Sequence, residues 1–175
     1  MSASLIIYSS TDGHTKTICE RMKNFSKNVE MVKIISLEEA INFDLSTFNK
    51  IIIGASIRYG KHARELYKFV ELNKDILDRK ENIFFSVNVV ARKPEKSKPE
   101  TNPYIKKFLK TSRWKPQKIG VFAGKVDYPK YNFFDKYIIK FIMYITKGPT
   151  DTSQTYEFTD WSKVDDFARQ LWHNS

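Results

Sequence analysis

The sequence predicts an α/β fold in which one parallel sheet carries helices on both faces. Five short apolar runs rich in β-branched residues alternate with segments whose apolar residues recur at helical spacing. The 175 residues, 41% of them hydrophobic, suffice for one domain with a substantial core and are too few for two, so a single domain over residues 1–175 is expected.

SLIIY (residues 4–8) is the first strand, and residues 14–27 follow it with helical period. VEMVKII (29–35) is the second strand; the stretch after it, 37–49, is less regular. KIIIGAS (50–56) and NIFFSVNVV (82–90) are continuous apolar runs, as strands buried on both faces require, and a helix over 63–77 connects them. ARKPEKSKPETNP (91–103) holds three prolines and several lysines, which predicts an irregular surface loop. A helix over 102–112, a fifth strand KIGVFAG (118–124) and a closing helix over 160–172 complete the set, and no internal repeat is visible.

Thirty Lys and Arg against twenty Asp and Glu give a formal net charge of +10, which favours an anionic partner without choosing among nucleic acid, acidic lipid and acidic substrate. The single cysteine, Cys19, forms no internal disulfide and reads as a packed thiol, and no signal-like segment opens the sequence, so a cytoplasmic location is expected. No apolar stretch reaches the roughly 20 residues that span a bilayer. His14, His62 and His173 show no metal-ligand spacing and read as surface or capping residues, so no metal is expected; Trp114, Trp161 and Trp172 read as packing residues.

In an open parallel sheet the ligand crevice lies beyond the carboxyl ends of the strands. YSSTDGHTKTIC (8–19) follows the first strand. Ser9, Ser10, Thr11 and Thr15 offer hydroxyls, Gly13 permits close backbone approach, and the helix behind them aims free amides and a positive dipole end at one point, which suits a phosphate. The same residues also fit an ordinary helix cap with Thr11 or Asp12 capping. No Gly-Lys-Ser/Thr follows, and the pattern is not G-x-G-x-x-G.

SSTDGHT resembles the phosphate loop of flavodoxins, which binds the phosphate of FMN without a basic residue. The resemblance implies a flavodoxin-like three-layer sandwich with a five-stranded sheet in the order 2-1-3-4-5. It also implies an FMN site formed by Ser9, Ser10, Thr11, Asp12, Gly13, His14 and Thr15; by Ser56, Ile57, Arg58, Tyr59 and Gly60 after the third strand; by Ser86, Val87 and Asn88; and by Gly124. Tyr59 is the aromatic residue placed to flank the flavin ring. Asp12 departs from the usual hydroxyl, and a carboxylate beside a phosphate is unfavourable unless it turns away to cap the helix.

GASIRYG, SVNVVARKPEK, FAGKVDYP and TDW (159–161) narrow the resemblance to the menaquinone-dependent protoporphyrinogen IX dehydrogenase family of haem and porphyrin biosynthesis, long-chain flavodoxin-like oxidoreductases. It implies oxidation of protoporphyrinogen IX to protoporphyrin IX with a membrane quinone, menaquinone or ubiquinone, as acceptor, by a peripheral protein on the cytoplasmic face of the inner membrane. Arg58 and Lys61 first, then Arg92 and Lys93, are candidates to pair the substrate's propionates. No catalytic proton acceptor is assigned, and self-association is left open. A flavodoxin-like electron carrier or general quinone reductase is the alternative, although carrier flavodoxins are strongly acidic. A nucleic-acid-binding protein would explain the charge but not the hydroxyl loop, so nucleic acid is not expected.

Long-chain flavodoxins interrupt the fifth strand with an insertion, and residues 125–150 occupy that place before TYEFT resumes the sheet. YNFFDKYIIKFIMYITK (131–147) reads as a helix. At about 100° per residue Lys136, Lys140 and Lys147 fall within about 40° of one another, while Phe134, Ile138, Phe141, Ile142 and Ile145 lie largely elsewhere. A lysine stripe beside a broad apolar surface suits a helix lying on an anionic membrane and facing a quinone; the competing reading is a core helix. The sheet has its covering helices without it, which favours the membrane.

Overall fold

The computed structural model describes residues 3–26 and 31–172. Along the chain these form β1 (Ala3–Ser9), α1 (His14–Asn24), β2 (Met31–Ser36), α2 (Leu37–Ala40), β3 (Lys50–Ser56), α3 (Arg64–Arg79), β4 (Glu81–Val87), α4 (Pro103–Ser112), β5 (Lys118–Phe122), β6 (Lys125–Asp127), α5 (Phe133–Ile145), β7 (Thr155–Glu157) and α6 (Trp161–Trp172). Strands β1 to β5 make one sheet in the order β2-β1-β3-β4-β5, parallel throughout, as expected. Residues 29 and 30 of the predicted second strand and residue 27 of the predicted first helix lie outside the described residues.

Successive side chains of a strand point to opposite faces, and the two cores divide accordingly. Leu5, Ile7, Ile51, Ile53 and Phe84 pack with Leu66, Phe69 and Val70 of α3 and Ile105 and Phe108 of α4. Ile6, Ile52, Ile83 and Phe85 pack with Ile18, Cys19 and Met22 of α1 and Val164, Ala168 and Leu171 of α6. Each fully buried Leu, Ile or Phe contributes about 1.5 to 3 kcal/mol before entropy is counted, so these layers fix the sheet. Cys19 and Trp114 are fully buried and Trp172 nearly so, as expected of packing residues.

The structure departs from the sequence reading in three places. β4 stops at Val87 because the Asn88 side chain caps a turn over Val89–Arg92, accepting from Ala91 N at 3.1 Å. The proline-rich stretch contains two short turns, Val89–Arg92 and Pro94–Lys96. It gives way to α4 at Pro103, where proline needs no N–H and Asn102 caps the helix through Tyr104 N and Ile105 N. Finally, the sheet is not resumed after the insertion: Thr155–Glu157 pairs antiparallel with Lys125–Asp127 as a separate two-stranded ribbon. A third, small core of Val126, Tyr128 and Met143 with Tyr131, Ile139 and Tyr156 packs α5 onto that ribbon rather than onto either face of the sheet.

In the sheet centre, Gly54 of β3 lies beside Phe85 of β4, and a Cβ on Gly54 would meet the Phe85 ring at 2.1 Å. Gly54→Ala should therefore destabilise the fold by about 1 to 3 kcal/mol, the usual cost of overpacking, as read from the urea midpoint.

Candidate functional site

One cavity opens at the carboxyl ends of β1, β3 and β4 and is roofed by α5. On the β1 side the chain turns through Gly13, whose φ of 83° lies in the left-handed region that glycine adopts freely. Ser10 Oγ accepts from Gly13 N at 2.9 Å and closes the turn. Helix α1 begins with neither a side-chain cap nor an acidic residue in its first turn, so its positive end is left for a ligand. Neither Thr11 nor Asp12 caps it, which corrects that alternative. Thr15, one residue into α1, is fully buried, lines the cavity, and its hydroxyl has no hydrogen-bond partner. An unsatisfied buried hydroxyl costs about 1 to 3 kcal/mol, so its retention here fits a site built for an acceptor-rich group such as phosphate.

Asp12 is held in an ion pair. Its carboxylate accepts from Arg58 Nη1 at 3.1 Å, while Arg58 Nη2 donates to Asp135 Oδ2 of α5 at 2.7 Å. Tyr59 OH also donates to Asp135, and Asn132 both caps α5 and donates to Asp135 Oδ2 at 3.0 Å. Arg58, expected as a candidate to pair the propionates, is thus engaged with two carboxylates. Tyr59 and Gly60, with φ of 50° and 75°, form the tip of a tight turn closed by reciprocal backbone bonds between Arg58 and Lys61.

On the β4 side, Val87 and Asn88 line the cavity together with Gly124. Ser86 is buried beneath them, bonded to His62 Nε2 at 3.0 Å and to Asn88 Nδ2 at 3.1 Å. Asn102 Nδ2 donates to Asn88 Oδ1 at 3.0 Å, so the Asn88 amide is held from both ends. His62 is a buried residue of this floor rather than a surface or capping one, packed against the edges of Phe84 and Phe108, and burial pushes its pKa down to about 4. His14 lines the cavity and bonds Thr159 Oγ1 at 2.6 Å. Because the Thr159 hydroxyl donates to Ala123 O, His14 Nε2 carries the proton toward it, and burial lowers the imidazole pKa.

Of the residues expected to touch a cofactor, Ser10, Thr11, Asp12, His14, Thr15, Ser56, Ile57, Arg58, Tyr59, Gly60, Val87, Asn88 and Gly124 line this one cavity. Three do not. Ser9 ends β1 with its carbonyl accepting from Ser56, Gly13 shapes the turn from behind, and Ser86 lies under the floor. Arg92 reaches the wall, whereas Lys61 and Lys93 stay outside it. The insertion residues divide: Phe134, Phe141, Ile145 and Lys147 are exposed, and Lys136, Ile138 and Lys140 are half-buried. Ile142, expected to face the membrane or a quinone, lines the cavity, where α5 turns Ile139, Ile142 and Met143 inward, followed by Thr146 at its C-cap. Sequence reasoning also missed Val89, Val90, Tyr104, Lys125, Val126 and Tyr131 in the wall. The 3.6-residue spacing of Ile139, Ile142, Met143 and Thr146 was the available signal for the roof.

The profile of the flavodoxin domain family matches residues 5–153. A Leishmania major protein named protoporphyrinogen IX dehydrogenase [quinone] is 41% identical over 166 residues, covering 94% of this chain and 72% of that protein. An Escherichia coli (strain K12) protein of the same name is 38% identical over 173 residues, covering 97% and 94%. Among solved structures, the solution structure of two-electron reduced Megasphaera elsdenii flavodoxin superposes with a TM-score of 0.51 at 11% identity, covering 69% of this chain and 85% of that one, a likeness of fold.

His62 gives the site floor a pH dependence. Its pKa in the folded protein lies below the ordinary 6.5, so the unfolded chain takes up the proton first and stability falls as pH drops from 6.5 toward 4. Between pH 7 and pH 4.5 this residue should remove about 2 to 3 kcal/mol, and His62→Gln should flatten the urea-measured profile by that amount.

Proposed function

The chain belongs to the flavodoxin domain family and, within it, to the protoporphyrinogen IX dehydrogenases [quinone], and from that membership we propose that it is an FMN-dependent oxidoreductase. In this reading it oxidises protoporphyrinogen IX to protoporphyrin IX and delivers the electrons to a membrane quinone in haem biosynthesis. One observation carries the cofactor: the buried, unpartnered Thr15 hydroxyl at the open end of α1, facing a cavity bounded by the loops after β1, β3 and β4. A single phosphate-sized turn favours FMN over a dinucleotide.

Bound there, FMN would supply the redox chemistry that side chains lack. Ser10, Thr11 and Thr15 with the first amides of α1 would hold its phosphate. Ile57, Tyr59, Val87, Asn88 and Gly124 would border its ring, and the network of Ser86, His62 and Asn102 keeps the Asn88 amide in one orientation. Arg58 pairs with Asp12 and so weakens the repulsion that this carboxylate would exert on a phosphate. The inner arc of α5 covers the cavity and limits water. Tyr131, whose hydroxyl accepts from Asp127 N, has its pKa pushed up to about 12 by burial and stays protonated in the wall at neutral pH.

The outer face of α5 supports membrane attachment. Phe133, Phe134, Tyr137, Phe141, Tyr144 and Ile145 expose large apolar surfaces along one helix, with Lys136 and Lys140 at the edge of that arc. Among the described residues no helix is long and apolar enough to cross a bilayer. The protein lies on the cytoplasmic face of an anionic inner membrane, aromatic rings at the acyl boundary and lysines among the headgroups, close to the quinone.

Replacing Thr15 by Val should produce opposite effects. The ligand-free protein should gain about 1 kcal/mol because the orphaned hydroxyl is gone, and FMN binding should weaken by about 1.5 to 3 kcal/mol. A flavin titration and a urea curve measure the two, and no loss of FMN affinity would move the phosphate elsewhere.

The reaction is tested by porphyrin fluorescence under anaerobic conditions, with the FMN-loaded protein and menaquinone in anionic vesicles. Changing Lys136, Lys140 and Lys147 together to Glu should release the protein from the vesicles, at about 1 kcal/mol for each lysine, and stop turnover while FMN binding persists. If the loaded protein forms no porphyrin above a free-FMN control, a general quinone reductase or electron carrier replaces this reading.

A further inference from the structure

The wall of the cavity beneath α5 differs from the wall around the hydroxyl loop. Val89, Val126, Ile139, Ile142 and Met143 make it apolar, and Arg92 lines it as well. Among the described residues three cations reach the cavity, and their surroundings differ. Arg58 is held between Asp12 and Asp135. Lys125 has Asp127 at 3.9 Å. Arg92 donates only to uncharged oxygens, Val89 O at 2.9 Å, Thr146 O at 2.8 Å and Thr146 Oγ1 at 3.2 Å, and lies over the Phe158 ring at 5.7 Å. Among the described residues it makes no ion pair with a carboxylate.

A guanidinium keeps its charge in a protein and has more donors than these contacts use. Drawing it partly out of water beside an apolar wall, without a counter-charge, is unfavourable, and burial alone accounts for its lowered pKa. The fold makes room for it nonetheless: a Cβ on Gly148 would come within 2.8 Å of Arg92 Nη2 and 2.3 Å of Met143 Cε. An apolar chamber lined by a guanidinium that has no carboxylate partner is matched to an apolar molecule that carries a carboxylate.

We propose that this chamber receives the electron donor and that Arg92 binds one of its carboxylates, which makes Arg92 rather than Arg58 the residue that selects the acid. The inference rests on the function proposed above, under which the two organic substrates differ in this respect. A porphyrinogen carries an apolar macrocycle and propionates. A quinone carries no acid, so it forms no ion pair with Arg92 and should not depend on its charge.

Arg92 also ties the last turn of α5 through Thr146 O, so the test must separate charge recognition from bracing. The FMN-saturated protein is titrated with protoporphyrin IX and, separately, with its dimethyl ester, with porphyrin fluorescence as the readout. The wild type should prefer the free acid by about tenfold to a hundredfold, the value of a charge-assisted bond. Arg92→Gln retains a donor for Thr146 O but loses the charge, and it should bind acid and ester about equally; Arg92→Lys should recover part of the preference. A variant that weakens both porphyrins alike and leaves their ratio unchanged would reduce Arg92 to a brace and overturn the inference. So would a wild type that does not distinguish acid from ester. If neither porphyrin binds the wild type, the functional reading itself falls.

Discussion

The site depends on one guanidinium held between two carboxylates. Asp12, Arg58 and Asp135 come from the loop after β1, the loop after β3 and the first turn of α5, and they meet through contacts of 3.1 Å and 2.7 Å. Arg58 and Asp135 are largely shielded, with side-chain exposures of 23% and 17%, so this half of the bracket differs from a surface ion pair worth next to nothing, whereas Asp12 is 43% exposed. Removing Arg58 would leave two carboxylates close together with no counter-charge, beside a site suited to an anion. The bracket explains how an aspartate is tolerated in that loop and why an insertion that packs on neither sheet face still belongs to the site.

What the bracket assembles is set up by the sheet. A parallel sheet in the order 2-1-3-4-5 brings the carboxyl ends of β1 and β3 together, with β4 next in line, and the crevice lies where the strand order reverses. The hydrophobic layers of α1 and α6 on one face and α3 and α4 on the other fix those ends. Local chemistry then finishes each loop: glycine in the left-handed region at residue 13, a tight turn at residues 59 and 60, and the buried Asn88 amide held by Ser86 and Asn102. Rigid strands therefore position polar groups that would wander on a free loop.

Much of this was legible because it is local. Continuous apolar runs mark strands buried on both faces, and the hydroxyls of residues 9–15 mark the loop whatever lies around it. The losses come from long range. Asp12 lies 46 residues from Arg58, and Arg58 lies 77 from Asp135, so no spacing rule indicates that they pair. The same distance hides the His14 to Thr159 bond, 145 residues apart, and the pairing of Thr155–Glu157 with Lys125–Asp127 instead of the main sheet. Ser86 and His62 show another limit: polar residues at a strand end and in a loop read as accessible, yet they satisfy each other and are buried.

Helix α5 shows what periodicity does and does not determine. At about 100° per residue, Phe133, Tyr137, Phe141, Tyr144 and Ile145 fall on one arc, and Ile139, Ile142, Met143 and Thr146 on the opposite one. Period alone separates the arcs but does not say which is inward, and an apolar helix offers two candidates. The third core decides: Met143 and Ile139 pack on the ribbon of β6 and β7, and the aromatic arc is left outside. Lys136 and Lys140 then lie on the seam between the arcs, half-buried, with stems able to lie along apolar surface while their ammonium groups stay in water. In the proposed function that seam sits at the headgroups, so one helix separates the bilayer on its aromatic side from the chamber on its aliphatic side. The distance between a membrane quinone and the site is then set by the thickness of a single helix.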